Sequence, residues 1–123
     1  IRQAINTHGT STPIGDSAEC FAVRAVFGDA TDKIAVTSTK SMTGHMLGAA
    51  GAAEAVLSVL SIVHGIVPPT INLESLDPQC AVNVVANKAL KRDIKVALSN
   101  AFGFGGHNTA AIFAAPHVSE SLA

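Results

Sequence analysis

The sequence predicts an α/β fold in which short strands form a sheet covered by helices. Two helix-length apolar runs alternate with apolar runs of strand length, in the order β-α-β-α-β-β-β. Two histidine-containing segments, residues 6–12 and 40–45, each follow a strand-like run and precede a helix-like run. Open α/β sheets bind ligands at such strand ends, so we expect both segments to face one cleft.

The first part of the chain predicts a strand, a helix and a second strand. Residues 4–6 are typical of a strand end, and a turn-rich stretch leads to a helix over residues 17–27. We expect Asp16 to be the N-cap of this helix and Gly28 to end it. Residues 34–36 predict a short buried strand that leads into the second histidine-containing segment.

A second helix is predicted over residues 46–64, because this run is apolar nearly all round and stops at Gly65. Such a helix lies between layers of a fold rather than on its surface. The run is long enough to raise the question of a membrane span, but Glu54 stands at its middle and Gly48 and Gly51 lie within it. The sequence therefore favours a buried helix and no membrane partner.

The rest of the chain predicts three strands and two loops. The strands are expected over residues 81–85, 95–100 and 109–114. Residues 70–80 are typical of a loop, and a glycine-rich loop over residues 102–108 joins the last two strands. We assign residues 1–115 to one domain and residues 116–123 to a polar tail.

Composition restricts the classes of function. Of the 123 residues only 14% are charged and 48% are hydrophobic, and the net charge is −1. No basic excess is available to neutralise phosphates, so we expect no nucleic-acid partner. A surface this poor in charge predicts contact with other protein. The abrupt start at Ile1, next to the first strand, suggests a fragment whose N-terminal portion lies elsewhere.

Two cysteines, Cys20 and Cys80, lack the spacing of a metal or redox motif and are too few to define a disulfide framework. A reducing compartment is the simpler interpretation. We therefore expect a cytoplasmic protein, or a plastid or mitochondrial one in a eukaryote.

His8 and His45 are the residues most indicative of chemistry. Each lies among small residues and glycines on a loop, and two neutral imidazoles aimed at one oxygen would stabilise an anion. One alternative is a packed or surface histidine, the common situation for a single histidine. Another is a metal pair, but no third ligand stands at suitable spacing near either residue, so we expect no metal site.

Four segments stand in a distinctive order along the chain. They are residues 6–12 (NTHGTST), 39–51 (TKSMTGH followed after two residues by GAAG), 68–73 (PPTINL) and 100–106 (NAFGFGG). In order and spacing they resemble the C-terminal half of the 3-oxoacyl-[acyl-carrier-protein] synthases, synthase II in particular. The resemblance implies a thiolase-like fold, in which two similar α/β halves form a layered αβαβα body and this chain is the second half.

Members of that family join an acyl chain, held as a thioester on a cysteine, to malonyl-acyl-carrier protein with loss of carbon dioxide during fatty-acid elongation. The resemblance makes His8 and His45 the donors that stabilise the enolate oxygen left by decarboxylation. It also implies acyl carrier protein as a partner, a homodimer, and no cofactor beyond the phosphopantetheine that carries the substrate. Because neither Cys20 nor Cys80 has the setting of a nucleophile, the reactive cysteine would come from the N-terminal half, and this chain alone should not condense anything.

The resemblance also pairs Lys40 with Glu54 beside the second histidine. Glu54 is the only charged side chain between Ser41 and Leu73, and a carboxylate buried on an apolar helix needs a cation or several donors. We interpret the pair as organising His45 rather than transferring protons, and we expect Lys40→Ala to abolish condensation in a protein that still folds. A solvated Lys40, with Glu54 bound to backbone donors, is the alternative.

The resemblance gives roles to three further residues. Thr10 and Thr12 would hydrogen-bond the pantetheine arm, although hydroxyls in such a turn also cap local backbone groups. Phe104 would gate the acyl pocket, and its backbone N–H would complete an oxyanion hole. Phe102 is interpreted as core, and His107 stands where many family members carry threonine.

Two other functions are compatible with these residues. A polyketide-type ketosynthase shares both histidines and extends other chains. A non-catalytic partner subunit akin to chain-length factors would only shape a pocket, and the presence of both His8 and His45 argues against it.

Overall fold

The computed structural model describes residues 2–116 and 118, so Ile1 and most of the tail expected over residues 116–123 lie outside the described residues. The elements in chain order are β1 (Gln3–Asn6), α1 (Pro13–Phe27), a 3₁₀ helix (Gly28–Lys33), β2 (Ala35–Thr37), α2 (Lys40–Thr43), a second 3₁₀ helix (Leu47–Ala49), α3 (Ala50–His64), β3 (Ile66–Val67), β4 (Leu90–Lys91), β5 (Val96–Gly103) and β6 (His107–Ala114).

Four of the strands form one mixed sheet in the order β2-β1-β5-β6. β1 runs parallel to both of its neighbours, whereas β5 and β6 form an antiparallel hairpin. β3 and β4 pair separately as a small antiparallel ribbon. The predicted α/β class is confirmed.

The sheet lies between two helices. Successive side chains of a strand point to opposite faces, and Ala4 and Ile5 of β1 accordingly pack into different hydrophobic clusters. Ile62 of α3 packs against the first cluster, and Val23 of α1 belongs to the second. The central strand is thus buried on both faces, as is usual for parallel strands, and the chain forms three layers with α1 and α3 outside.

α1 begins at Pro13 rather than at residue 17. Its N-cap is Thr12 in an extended conformation, and a proline directly after the cap suits a helix start because its φ is already helical. Asp16, which we predicted as the cap, lies inside the first turn and accepts the Ser11 N–H at 3.2 Å. Gly28 ends the helix as predicted.

α3 also begins later than predicted, at Ala50. The run over residues 46–64 is divided because Leu47 adopts a positive φ of 51°, which a continuous helix does not tolerate. Gly65 ends the helix as predicted, in the left-handed conformation at φ 62°.

The face of α3 that packs on the sheet carries Glu54, Ser58 and Ser61, and both serine hydroxyls donate to carbonyls one turn earlier at 2.8 Å. The opposite face leaves Val56 and Val63 exposed. Within the described residues the helix is therefore covered on one side only, whereas the prediction placed it between layers.

By length and composition alone, residues 47–64 form one segment of the described chain that could cross a membrane, with a mean hydropathy of 1.6. This match is weak evidence for a span, because the same helix packs on the sheet and buries Glu54 at its centre.

Two predictions about the last third of the chain need correction. Residues 81–85 form no strand: the described backbone makes only an isolated parallel bridge between Val84 and Val36. The glycine-rich loop is also shorter than predicted, because β5 extends to Gly103 and β6 begins at His107, which leaves three residues at the tip of the hairpin.

Candidate active site

The carboxyl ends of the parallel strands β1, β2 and β5 meet at one edge of the sheet. His8 follows β1 and Lys40 opens α2 just after β2. Side-chain hydrogen bonds between Asn6 and Thr39, both buried, tie these two strand ends together at 3.0 Å. The sheet thus brings the two histidine-containing segments side by side, as the sequence predicted.

The imidazole rings of His8 and His45 lie next to each other. Their centroids are 5.6 Å apart and the rings meet edge to face, with an interplanar angle of 86°. The ring of Phe102, a residue of β5, lies 5.3 Å from the ring of His8, centroid to centroid. Phe102 is 36% exposed, so our interpretation of it as core was wrong, because its ring packs at the edge of the site.

A main-chain contact sets the tautomer of His45. The backbone N–H of Leu47 donates to Nδ1 of His45 at 3.0 Å. A nitrogen that accepts a hydrogen bond carries no proton, so in the neutral ring the proton lies on Nε2. The exposed His45 ring can therefore offer an Nε2–H donor to a ligand.

His8 is held in its neutral form by its surroundings. Partial burial lowers the pKa of His8 below its ordinary value of 6.5, and the positive charge of Lys40 lowers that pKa further. Nδ1 of His8 is buried without a hydrogen-bond partner among the described residues, which leaves Nε2 as the nitrogen available to a ligand. At neutral pH the site thus presents an uncharged imidazole at this position.

Lys40 and Glu54 form a buried ion pair through Lys40 Nζ and Glu54 Oε1, with side chains only 4% and 2% exposed. The alternative of a solvated Lys40 is therefore wrong. Neither side chain hydrogen-bonds to His45 within the described chain, and the charge of Lys40 acts on His8 instead. Our interpretation that the pair organises His45 stays a prediction.

A second carboxylate, which the sequence did not single out, lies next to the backbone of the first histidine. Glu19 of α1 is 4% exposed and accepts the backbone N–H of His8. The signal that could have revealed it is its spacing, since Glu19 lies four residues before the buried Val23 and so faces the core. A charged residue on the buried face of a helix needs hydrogen-bond donors.

Gly9 lets the His8 loop approach the end of β2 closely. Its φ is +35°, and a Cβ placed there would lie 2.7 Å from the Cβ of Ser38. The Ser38 hydroxyl also donates to the Gly9 carbonyl at 2.7 Å.

Gly9→Ala should therefore lower the free energy of unfolding by about 1–3 kcal/mol, because it adds backbone strain and a clash. Urea denaturation would measure this change. Gly48→Ala is the matched control, since a Cβ at Gly48 meets nothing within 4 Å, and its effect should stay within about 0.5 kcal/mol. Equal effects of the two variants would contradict the argument from crowding.

Of the remaining predicted site residues, Thr10 and Thr12 hydrogen-bond to each other, Oγ1 to Oγ1, at 3.3 Å. This contact joins two side chains and caps no backbone group, and the contact of the two threonines with a pantetheine arm stays a prediction. Phe104 is 91% exposed at the tip of the β5–β6 hairpin. Its predicted role as a gate likewise stays a prediction.

A cavity of about 400 Å³ opens beside the site. Thr10, Lys40 and His45 line it, together with apolar side chains of α1 and of the segment around residue 82. The ring of His8, although adjacent to His45, is not among the lining residues. The lining of the cavity therefore combines polar side chains of the histidine edge with apolar side chains.

Cys20 and Cys80 also line this cavity, and both are free thiols. Burial and a hydrogen bond with Cys80 raise the pKa of Cys20. A nucleophilic cysteine needs the opposite shift, toward the thiolate. The setting of Cys20 therefore agrees with the expectation that the nucleophile is not in this chain.

Together, the three-layered α/β arrangement and the paired imidazoles at the strand ends define a thiolase-like domain. Residues 3–74 match the family model "Beta-ketoacyl synthase, C-terminal domain". The chain belongs to the beta-ketoacyl synthase family, of which it represents the C-terminal domain.

Curated relatives agree with this assignment. The 3-oxoacyl-[acyl-carrier-protein] synthase 2 of Coxiella burnetii (strain RSA 493 / Nine Mile phase I) is 57% identical over 104 residues, which are 85% of this chain and 25% of that protein. The enzyme of the same name from Staphylococcus aureus (strain COL) is 50% identical over 111 residues, 90% of this chain and 27% of that protein. The chain spans about a quarter of the length of these relatives.

Solved structures confirm the fold. A type II polyketide synthase ketosynthase, solved in complex with its acyl-carrier protein and bound to the hexaketide, superposes with a TM-score of 0.88 at 38% identity. The match covers 91% of this chain and 28% of that chain. The expected thiolase-like fold is thereby confirmed. The domain bounds 1–115 and the roles of the individual site residues stay predictions.

Proposed function

We propose that this chain supplies the enolate-stabilising half of the active site of a beta-ketoacyl-acyl-carrier-protein synthase that elongates fatty acids. The observation that carries the proposal is the adjacency of the His8 and His45 rings, 5.6 Å apart between centroids. The proposed reaction is the decarboxylative condensation of malonyl-acyl-carrier protein with an acyl thioester.

The proposed chemistry requires an N–H donor on each of the two rings. When the malonyl carboxylate leaves as carbon dioxide, the electron pair of the broken C–C bond moves into the thioester and places negative charge on its oxygen. Two N–H donors aimed at that oxygen bind it more tightly in the transition state than in the ground state, and this difference accelerates the step. The Leu47 contact that leaves a proton on His45 Nε2 supports this role.

The second step joins the two substrates. The enolate carbon attacks the carbonyl of the acyl thioester, a C–C bond forms, and the cysteine leaves as a thiolate. The proposal places that cysteine on an N-terminal half, because Cys20 lies in α1 with a raised pKa and Cys80 is buried in a loop. This chain alone is therefore proposed to be inactive.

Several finer features belong to the same proposal. The partners are acyl carrier protein, an N-terminal half and a second copy in a homodimer, and the location is the cytoplasm or an organelle in a eukaryote. Acyl carrier protein is supported by the polyketide ketosynthase that was solved in complex with its own carrier protein. No cofactor is proposed beyond the carrier's phosphopantetheine.

A polyketide-type ketosynthase is the second candidate, because a ketosynthase of that kind superposes closely on this chain. The higher identity to the synthases numbered 2, 50–57% against 38%, favours fatty-acid elongation. The presence of both histidines argues against a silent chain-length-factor-like subunit.

A chimeric enzyme tests the proposal. This chain would replace the matching 104 residues of the Coxiella burnetii synthase 2, and we expect the purified chimera to release carbon dioxide from malonyl-acyl-carrier protein and to form 3-oxoacyl product. A folded chimera that releases no carbon dioxide would refute the proposal. Activity only with polyketide substrates would favour the second candidate.

A further inference from the structure

The two cysteines of the chain, Cys20 and Cys80, lie close together although they are far apart in the sequence. Both are free thiols that line the same cavity, and a side-chain hydrogen bond links them. Neither sulfur takes part in the proposed condensation. The fold has therefore brought together a pair of thiols that the proposed function leaves without a role.

Contacts beside the pair hold the two parts of the chain against each other. Arg24, four residues after Cys20 and so on the same face of α1, donates from Nε to the carbonyl of Ala81 at 3.1 Å. Val23 and Val82 belong to one hydrophobic cluster, and Cys20 packs against that cluster. The proximity of the thiols thus follows from the packing of α1 on this part of the chain and does not depend on the thiols alone.

A tight turn holds Cys80 in place. Its backbone N–H donates to the carbonyl of Asp77 at 2.8 Å, and its carbonyl accepts the backbone N–H of Val82, also at 2.8 Å. Cys80 is 7% exposed, whereas Cys20 is half-buried. The fold therefore presents one sheltered thiol and one that small molecules can reach from the cavity.

The surroundings of the pair favour a neutral cross-link over an anion. Burial and the hydrogen bond with Cys80 raise the pKa of Cys20, so a thiolate is disfavoured at this position. A disulfide carries no charge and needs no hydrogen-bond partner. Among the described residues no three His, Cys, Asp or Glu side chains form a group that could hold a metal ion, which favours a disulfide over a metal site.

We propose that Cys20 and Cys80 are a reversible dithiol–disulfide pair that fastens α1 to the turn at Cys80 when a small-molecule disulfide such as glutathione disulfide is in excess. This inference is independent of the proposed condensation. It adds a redox-sensitive lock on one wall of the cavity.

The exchange proceeds in two steps. The Cys20 thiol loses its proton and attacks one sulfur of glutathione disulfide, so that a mixed disulfide forms and one glutathione leaves as a thiolate. The Cys80 thiol then loses its proton and attacks the Cys20 sulfur, which displaces the second glutathione thiolate. The two cysteine sulfurs lose two electrons, which reduce one glutathione disulfide, and the two protons convert the thiolates into two glutathione thiols.

The test measures this equilibrium for the 123-residue chain in glutathione redox buffers, once under native conditions and once in concentrated urea. Because the raised pKa of Cys20 slows the first step, the test reads the equilibrium and not the rate. Mass spectrometry distinguishes the two forms, since the cross-linked chain lacks two hydrogen atoms. The native chain should favour the disulfide about 100-fold or more over the unfolded chain, because a cross-link that stabilises a fold is itself stabilised by that fold.

Three results of this measurement would overturn the proposal. The first is an equal preference for the disulfide in the native and the unfolded chain. The second is a mixed disulfide with glutathione that never closes, and the third is a disulfide that joins two chains.

Cys20→Ser combined with Ala22→Cys is the matched control, because it keeps two cysteines at nearly the same spacing and moves one of them to an exposed position of α1. Residues two apart on a helix do not face each other. The native control chain should therefore show no preference for the disulfide over its own unfolded form. A preference as large as that of the unsubstituted chain would refute the argument from the packing of α1.

The melting temperature gives a second measurement. The oxidised chain should melt about 10 °C above the reduced chain, because the cross-link closes a long loop. Cys20→Ser should melt at one temperature with and without glutathione disulfide. An oxidised chain that melts no higher than the reduced chain would overturn the lock.

If the 123-residue chain does not fold alone, the same ratio is measured in the chimera, where proteolysis and mass spectrometry identify the peptides joined through Cys20 and Cys80. Absence of that joined peptide from the native chimera in glutathione disulfide would then refute the proposal. Loss of carbon dioxide release in the unsubstituted chimera would count against the proposed function alone, since the cross-link is measured without it.

Discussion

Replacement of either His8 or His45 by alanine should lower the rate of malonyl decarboxylation in the chimera by about 10²- to 10³-fold, the usual cost of one donor that stabilises a transition-state oxyanion. The two rings adjoin each other, so they are expected to act on one oxygen as a unit. The fold-loss of rate in the double variant should therefore be much smaller than the product of the two single fold-losses. Carbon dioxide release from labelled malonyl-acyl-carrier protein measures the rate.

His64→Ala is the control for this prediction, because His64 ends α3 at an exposed position far along the chain from the site. It should leave the rate unchanged. A full rate in His8→Ala or His45→Ala would contradict the assignment of that residue as a donor.

The pH dependence of the same reaction should reflect the neutral form of His8. Since the pKa of His8 is lowered below 6.5, any loss of rate from its protonation should occur only as the pH falls below that value. In the unfolded chain His8 takes up a proton near its ordinary pKa of 6.5, whereas in the folded chain it does so only at lower pH. The free energy of unfolding should therefore also decrease as the pH falls from about 6.5 toward the folded-state pKa.

Lys40→Ala should lower the free energy of unfolding by about 3–5 kcal/mol, because it leaves the buried carboxylate of Glu54 without its cation. Oε2 of Glu54 is already buried without a hydrogen-bond partner in the described structure. We expected Lys40→Ala to abolish condensation in a protein that still folds, and the buried ion pair adds that the variant should also be less stable. Urea denaturation measures the loss.

Two comparison variants isolate the cause. Lys40→Met combined with Glu54→Gln removes both charges, and this double variant should recover most of the stability that the single variant loses. Arg2 and Asp93 form a surface ion pair, with side chains 63% and 56% exposed. Asp93→Asn breaks this pair and should lower the free energy of unfolding by no more than about 1 kcal/mol. A loss in Lys40→Ala as small as that in Asp93→Asn would contradict the prediction.

Much of the fold could be predicted because periodicity and turn residues act locally. The strand at Ile5, the stops at Gly28 and Gly65, and the terminal hairpin follow from such signals. The start of α1 at Pro13 was missed because Asp16 offers an equally good cap by sequence alone. Residues 81–85 look like a strand, but only Val84 reaches the sheet, and position in the tertiary structure decides pairing.

In the site, too, some residues could be predicted from the sequence and others could not. His8 and His45 could be predicted because they stand in distinctive segments at strand ends. Glu19 could not, because its partners are backbone groups of His8 and the side chain of Asn100, which lies 81 residues away. Spacing along α1 places Glu19 on the buried face, but it does not show which donors meet it there.

The bond from Leu47 to His45 has a consequence for how this site tolerates sequence change. The donor belongs to the peptide group, so nineteen of the twenty amino acids could supply it, and only proline lacks the hydrogen. The tautomer of His45 therefore does not depend on which side chain stands at position 47. What selection must preserve at position 47 is the course of the backbone, with its φ of 51°, rather than a particular chemical group.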